Sequence, residues 1–306
     1  MNTPSNTLPE SHAGSPSTAL ALSARIRPLY WSVRREVWEN RSIYLAPLAA
    51  ATFFLLTVLV HTVVLRVRHH GVWPANPNEL FDTPYLIAAG LIMATAFFVG
   101  IFYSLDALYG ERRDRSILFW KSLPVSDVTT VLSKLIIPLF FLPLISFLIT
   151  VVTQWLMLLL STVLLVGSGL NIPALWAHPS FSHFSLVLLY HIVTVHGLWY
   201  APIYCWLLLV SAWAPRAPFL WAFLPPFVIC GVEKIAFNTQ HVLAMFQQRL
   251  IGPDVPMSAQ KGTMIDQMAS ITLAQFFSEP GLWIGLAIAA IFLAGAVRLR
   301  RYRGPI

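Results

Sequence analysis

Long apolar runs alternate with short polar breaks along this chain, and the lengths of the runs set the architecture. The runs are Ile43 to Leu65, Tyr85 to Leu105, Val128 to Val166, Phe184 to Trp213, Phe219 to Phe237 and Gly281 to Leu299. About 20 apolar residues are needed for a helix to cross roughly 30 Å of hydrocarbon. The third run is roughly twice that length at 1.5 Å per residue, yet no polar turn divides it. Pro138 and Pro143 are the positions where it would kink. The pattern predicts an all-α, polytopic membrane protein with six transmembrane helices.

Around the 43–299 transmembrane domain the polar segments predict simpler elements. Residues 1–23 are rich in Ser, Pro, Thr and Ala and contain no apolar core of a signal peptide. They read as a disordered cytoplasmic tail. Residues 24–42 read as an interfacial amphipathic helix entered at Pro28, a position helices tolerate. Leu29, Tyr30, Val33 and Val37 share one face there, and Ser32, Glu36 and Glu39 the opposite one. A plain cytoplasmic extension of the first span is the alternative. The outer segment 238–280 includes Met264 to Phe277, which is apolar but short for a span, so it lies on the membrane or dips into it. Residues 300–306 form a basic cytoplasmic tail, and no internal repeat is visible.

Composition agrees with this pattern. Hydrophobic residues make up 57% of the 306 and charged residues only 11%, against about a quarter charged in soluble domains. The net charge of +7 reads as topology rather than as affinity for nucleic acid. With six spans and the N-terminus inside, only Arg66, Arg68, Lys234, Arg249 and Lys261 fall outside, leaving 20 − 5 = 15 Lys and Arg within. That is the asymmetry of the positive-inside rule. A seventh span would place the Arg-rich tail outside. Cys205 and Cys230 lie in apolar runs with no disulfide or metal-ligand spacing, and read as small buried hydrophobes.

The most informative polar break is 106–127. Gly110 is placed to end the preceding helix, and Glu111 and Arg115 stand at the spacing of a helical ion pair. Ile117, Leu118, Phe119 and Trp120 follow directly, Pro124 stops that short helix, and Ser126-Asp127 caps the next. Such a helix at the inner face carries Trp and Arg, residue types enriched at protein–protein hot spots. An ordinary loop, basic because topology requires it, is the plain alternative. The block from Glu111 to Asp127 resembles the loop after the second span in bacterial ABC-2 type permeases, the membrane subunits of type V ABC exporters. The likeness extends over about residues 24 to 300, through the interfacial helix, six spans and a semi-apolar outer segment, but only 111–127 is specific at residue level. It implies a coupling helix docked on a separate ATPase subunit, with Glu111, Arg112, Arg113, Asp114, Arg115, Trp120 and Lys121 as contacts. It also implies a second permease subunit, a homo- or heterodimer, in a bacterial inner membrane with both termini cytoplasmic. ATP and Mg would be bound by the partner and no cofactor by this chain, which lacks the phosphate loop G-x-x-x-x-G-K-[ST].

Within the spans, Glu233 beside Lys234 is the notable charge, costly unless it faces a cavity or partner. Pro225-Pro226, two turns earlier, would break that helix and free carbonyls. Glu233, Pro225, Pro226 and His196 are therefore candidates for a translocation path or gate, against a Glu233–Lys234 pair snorkelling at the interface. His191 and His196 are five apart, which on an α-helix separates them by about 140°, so no metal site is predicted there. His61, Gln154 and the adjacent His69-His70 pair carry no assignment, and no nucleophile elbow marks a hydrolase. Gly281, Gly285 and Ala289 form a small-residue stripe suited to close helix packing, more naturally within one subunit. The leading expectation is the permease subunit of an ATP-driven exporter with an amphiphilic, lipid-like, peptide or drug cargo. The alternatives are an ion-gradient-driven transporter, a non-transporting membrane anchor of an ATPase, and an intramembrane enzyme. The chain itself is read as having no enzymatic activity.

Overall fold

A lipid-exposed backbone can satisfy its own hydrogen bonds only in helices or closed barrels, and every regular element here is helical among the described residues. The computed structural model describes residues 18–68, 77–122, 125–165, 180–252 and 273–304. In chain order these are α1 (Thr18–Glu39), α2 (Ser42–Arg68), α3 (Pro77–Ala107), α4 (Tyr109–Arg113), α5 (Ile117–Ser122) and α6 (Asp127–Ile136). A π-helical turn, π1 (Ile137–Phe141), leads into α7 (Leu142–Leu165). Then come α8 (Ser180–His191), a second π-helical segment π2 (Ile192–Trp199), α9 (Ala201–Trp213) and α10 (Pro218–Phe237). The last are α11 (His241–Ile251), α12 (Leu273–Ser278) and α13 (Pro280–Tyr302).

Among the described residues five helices are long and apolar enough to cross a membrane: Ser42–Val64, Pro84–Arg113, Asp127–Val163, Pro218–Phe237 and Pro280–Tyr302. The fourth apolar run differs from a plain span. Its two halves, Ser185–Trp199 and Ala201–Trp213, meet at 45°. The third run is one helix of 37 residues, about 55 Å long, so it projects beyond the hydrocarbon. Pro138 sits inside π1, where the wider i→i+5 turn accommodates the absence of the proline N–H.

Two prolines behave differently from expectation. Pro28 does not open α1 but lies inside it, because the preceding TALALSARIR stretch consists largely of strong helix formers. The helix therefore begins at Thr18, within residues 1–23; the rest of that tail, 1–17, lies outside the described residues. Pro225 and Pro226 do not break α10, which continues unbroken to Phe237. A proline at 226 leaves the Ala222 carbonyl without its helical donor. The Trp206 indole N–H of α9 fills that vacancy at 3.1 Å. The proline pair thus docks α10 onto α9.

Packing centres on α9 and α13, which lie against each other and, through α9, against α3. Tyr204, Leu208, Trp199 and Leu282 form the heart of this core. Gly100 lets it close, since a Cβ there would come within 3.0 Å of the Tyr204 ring. Helices α2, α3 and α7 form a second group, and α1 lies across α6. The Gly281, Gly285, Ala289 face of α13 is used inside the subunit, with Gly281 against Trp199 and Ala289 buried in the core. Helix α10 is the peripheral one: Phe227, Ile235 and Phe237 point outward, as side chains facing hydrocarbon do.

Candidate functional site: a buried charge cluster beneath an exposed helix

Where α1 crosses α6, Glu36 turns into the protein rather than toward solvent and is 2% exposed. The sequence pattern placed it on the polar face of α1. Its partner decides otherwise: Lys134 Nζ donates to Glu36 Oε1 at 2.9 Å, and Tyr103 Oη donates to Glu36 Oε2 at 2.9 Å. Lys134 also stands 3.2 Å from Glu111 Oε1. Arg300 of α13 pairs with Glu111 at 3.3 Å and with Asp127 of α6. Arg35 closes the ring, 2.8 Å from Glu36 and 3.9 Å from Glu111. Three carboxylates (Glu36, Glu111, Asp127) thus face three cations (Arg35, Lys134, Arg300), and five helices meet at one balanced cluster.

Burial alone would raise the Glu36 carboxyl, but Lys134, then Arg35 and the Tyr103 hydroxyl, hold it below the ordinary carboxylate value. Such a cluster is stable only while complete, because Glu36, Glu111, Lys134 and Arg300 lie where water cannot replace a lost partner.

Above the cluster sit α4 and α5. Helix α3 ends where Ser211 Oγ of α9 accepts from the Leu108 and Tyr109 amides at 3.0 and 2.9 Å. Gly110 does not end it; it lies inside α4. The chain reverses instead at Arg115, in the left-handed region with φ 58. Three ties then hold α5. Ile117 is buried. The Trp120 ring lies 3.6 Å beneath the Arg35 guanidinium, a cation–π contact. Lys121 Nζ donates to the Arg301 and Arg303 carbonyls at the end of α13, each at 3.3 Å. Between these ties Leu118 and Phe119 point outward, each 60% exposed. Ser126 caps α6 as expected, its hydroxyl accepting from the Thr129 amide at 3.1 Å; Pro124 lies outside the described residues.

The seven residues singled out for this segment therefore separate. Arg113, Asp114 and Arg115 are exposed, Trp120 is half-buried against α1, and Lys121 is exposed but tied to α13. Glu111 and Arg112 face inward. Glu111 pairs with Lys134 and Arg300 rather than with Arg115. Arg112 Nη1 donates to the Ala212 and Ala214 carbonyls at 2.6 and 3.2 Å. Sequence reasoning missed Glu36, Lys134, Ser211, Tyr103 and Arg300. The signal that marks Lys134 is a lone cation two turns into a helix whose only other charge is Asp127 at its start.

The opposite end of the bundle holds the remaining candidates. Glu233 caps α11, accepting from the His241 and Val242 amides at 2.7 and 2.9 Å and from Thr239 Oγ1 at 2.8 Å. No Glu233–Lys234 pair forms among the described residues. Glu233→Gln is expected to weaken this cap and leave the core unchanged. Faster proteolysis between residues 238 and 252 with an unshifted global melt checks this; a shifted global melt would contradict the assignment. His196 is buried with Nδ1 unpartnered. The π-turn changes its register, since an i→i+5 turn returns five residues to one face. The His191 and His196 rings accordingly lie 5.9 Å apart. Among the described residues no group of three or more His, Cys, Asp and Glu converges as metal ligands would.

No family model matches the chain, and no curated protein or solved structure is similar enough to count as a match.

Proposed function

We propose that this chain is the transmembrane permease subunit of an ATP-driven exporter, coupled through α5 to a separate ATPase subunit and paired with a second permease. The bent pair Ser185–Trp213 counts as one span in this reading, which makes six with both termini cytoplasmic. The carrying observation is the tethering of α5. Its outward Leu118 and Phe119 offer an apolar contact beside Arg113, Asp114 and Arg115. Its inward contacts reach α1 through Arg35 and α13 through Lys121. A push on such a helix reaches several spans at once, which is what coupling to a motor requires. The charged cluster below gives those spans a rigid shared footing.

A pull-down from detergent-solubilised membranes tests this. Wild type is expected to bring down an ATP-hydrolysing subunit, and Arg113→Glu/Phe119→Asp to lose it. Both positions are exposed, so folding is spared. A correctly inserted wild type that brings down no ATPase overturns the reading. One observation favours an ion-gradient-driven transporter instead. Gln154, 1% exposed with neither end of its amide partnered, and His196 lie inside long spans, where unsatisfied polar groups mark ion or substrate pathways.

A further inference from the structure

At the end of the bundle away from the charge cluster, Arg249 has no anionic partner among the described residues. Arg249 of α11 forms no ion pair and no hydrogen bond among the described residues, and burial disfavours its charge. Its guanidinium stacks on the Trp199 ring of π2, 4.4 Å from the ring centre. It enters a notch in α13: an ideal Cβ on Gly285 would coincide with Arg249 Nη2. One turn earlier, a Cβ added at Gly281 would stand 3.5 Å from the edge of the same Trp199 ring. The Tyr200 hydroxyl fastens α11 in place by donating to the Leu250 carbonyl at 2.9 Å. Gly285 thus makes room for a cation that no described residue neutralises. The Glu279 carboxylate lies 3.7 Å from where a Gly281 Cβ would stand but forms no ion pair with Arg249.

A second donor shares this place. Trp199 is 2% exposed and its indole N–H has no acceptor. Both an indole N–H and a guanidinium donate only, so the missing group is an acceptor, and beside an uncompensated cation it is an anionic one. Exposed apolar side chains lie on the elements that form the notch: Met245 and Leu250 on α11, Phe277 on α12, Trp283 and Ile284 on α13. A free anion has no use for them, whereas an acyl chain does. We infer that Arg249 and Trp199 bind the oxyanion headgroup, phosphate or carboxylate, of an amphiphile whose tail lies along α11 and α13. The site stands on this end of the molecule alone and does not depend on an ATPase partner.

The full chain purified in neutral detergent tests this by native mass spectrometry and thermal midpoint. Phosphatidylglycerol, phosphatidylcholine and inorganic phosphate are added in separate arms. Wild type is expected to bind phosphatidylglycerol at least about tenfold more tightly than phosphatidylcholine, the loss of one charged hydrogen bond being of that size. Arg249→Gln is expected to remove that margin. Trp199→Phe keeps the ring and deletes only the N–H, and is expected to reduce it severalfold. A response to inorganic phosphate equal to that to phosphatidylglycerol, lost in Arg249→Gln, supports the oxyanion site and assigns it to a free anion. No margin in the wild type, or a margin that survives both variants, overturns the inference.

Discussion

Replacing Lys134 with Met is expected to lower the thermal midpoint of the detergent-solubilised protein by on the order of 10 °C. Lys134 is buried and within 3.2 Å of two carboxylates. Met fits the space but leaves the cluster with three carboxylates and two cations. Removing one member of a buried ion pair costs about 3 to 5 kcal/mol, because the abandoned charge remains out of water, and 1 kcal/mol is worth roughly 2 to 4 °C in a chain somewhat smaller than this one. Adding Glu36→Gln to Lys134→Met is expected to restore part of the loss, the mark of a direct interaction. Acid is expected to mimic the lesion. Glu36 is held below its reference value of 4.5, so the folded state binds its proton less readily than the unfolded one. Its stabilisation is present above about pH 4.5 and is lost as pH falls through the folded value. A Lys134→Met protein that melts at the wild-type midpoint, with an unchanged acid limb, would show that the cluster contributes no net stability.

That cluster also marks the limit of what a single sequence discloses. The membrane-spanning helices were legible because hydrophobic length is a local property, and the third run could be read as one span because a seventh would have put the Arg-rich tail outside. The outward or inward sense of charged residues was not legible. Glu36 meets Lys134 across 98 residues and Glu111 meets Arg300 across 189, distances that helical periodicity does not sample. The i,i+4 spacing of Glu111 and Arg115 was real but idle, since a buried pairing with Lys134 outweighs an exposed one worth a few tenths of a kcal/mol. Prolines misled in the same way. At Pro226 the freed carbonyl found Trp206, and a predicted break became a point of attachment. The register of His191 and His196 depended on a π-turn that no residue type announces.

The inward turn of Arg112 leads to the second large effect. Helix α9 ends at Trp213, and the last carbonyls of a helix lack intrahelical donors. Arg112 supplies two of the missing bonds, to Ala212 and Ala214, and Arg303 supplies another to Trp213. A cation here also faces the negative end of the helix dipole. Arg112→Met is expected to strand both buried carbonyls and cost about 3 kcal/mol, at 1.5 to 3 for each bond to a charged donor. Arg112→Lys keeps the charge without the fork and is expected to fall between. Cys205 lies buried in the same helix, so its alkylation rate reports opening of α9 and should rise in step with the fall in midpoint. The contrast with Arg113, exposed one position later, discriminates between the two roles this segment could play. If Arg112→Met leaves the midpoint and the Cys205 rate at wild-type values yet abolishes capture of an ATPase, Arg112 is a docking contact. If it destabilises α9 and Arg113→Glu alone abolishes capture, the docking surface begins at Arg113, and Arg112 is the rivet that holds it to the transmembrane core.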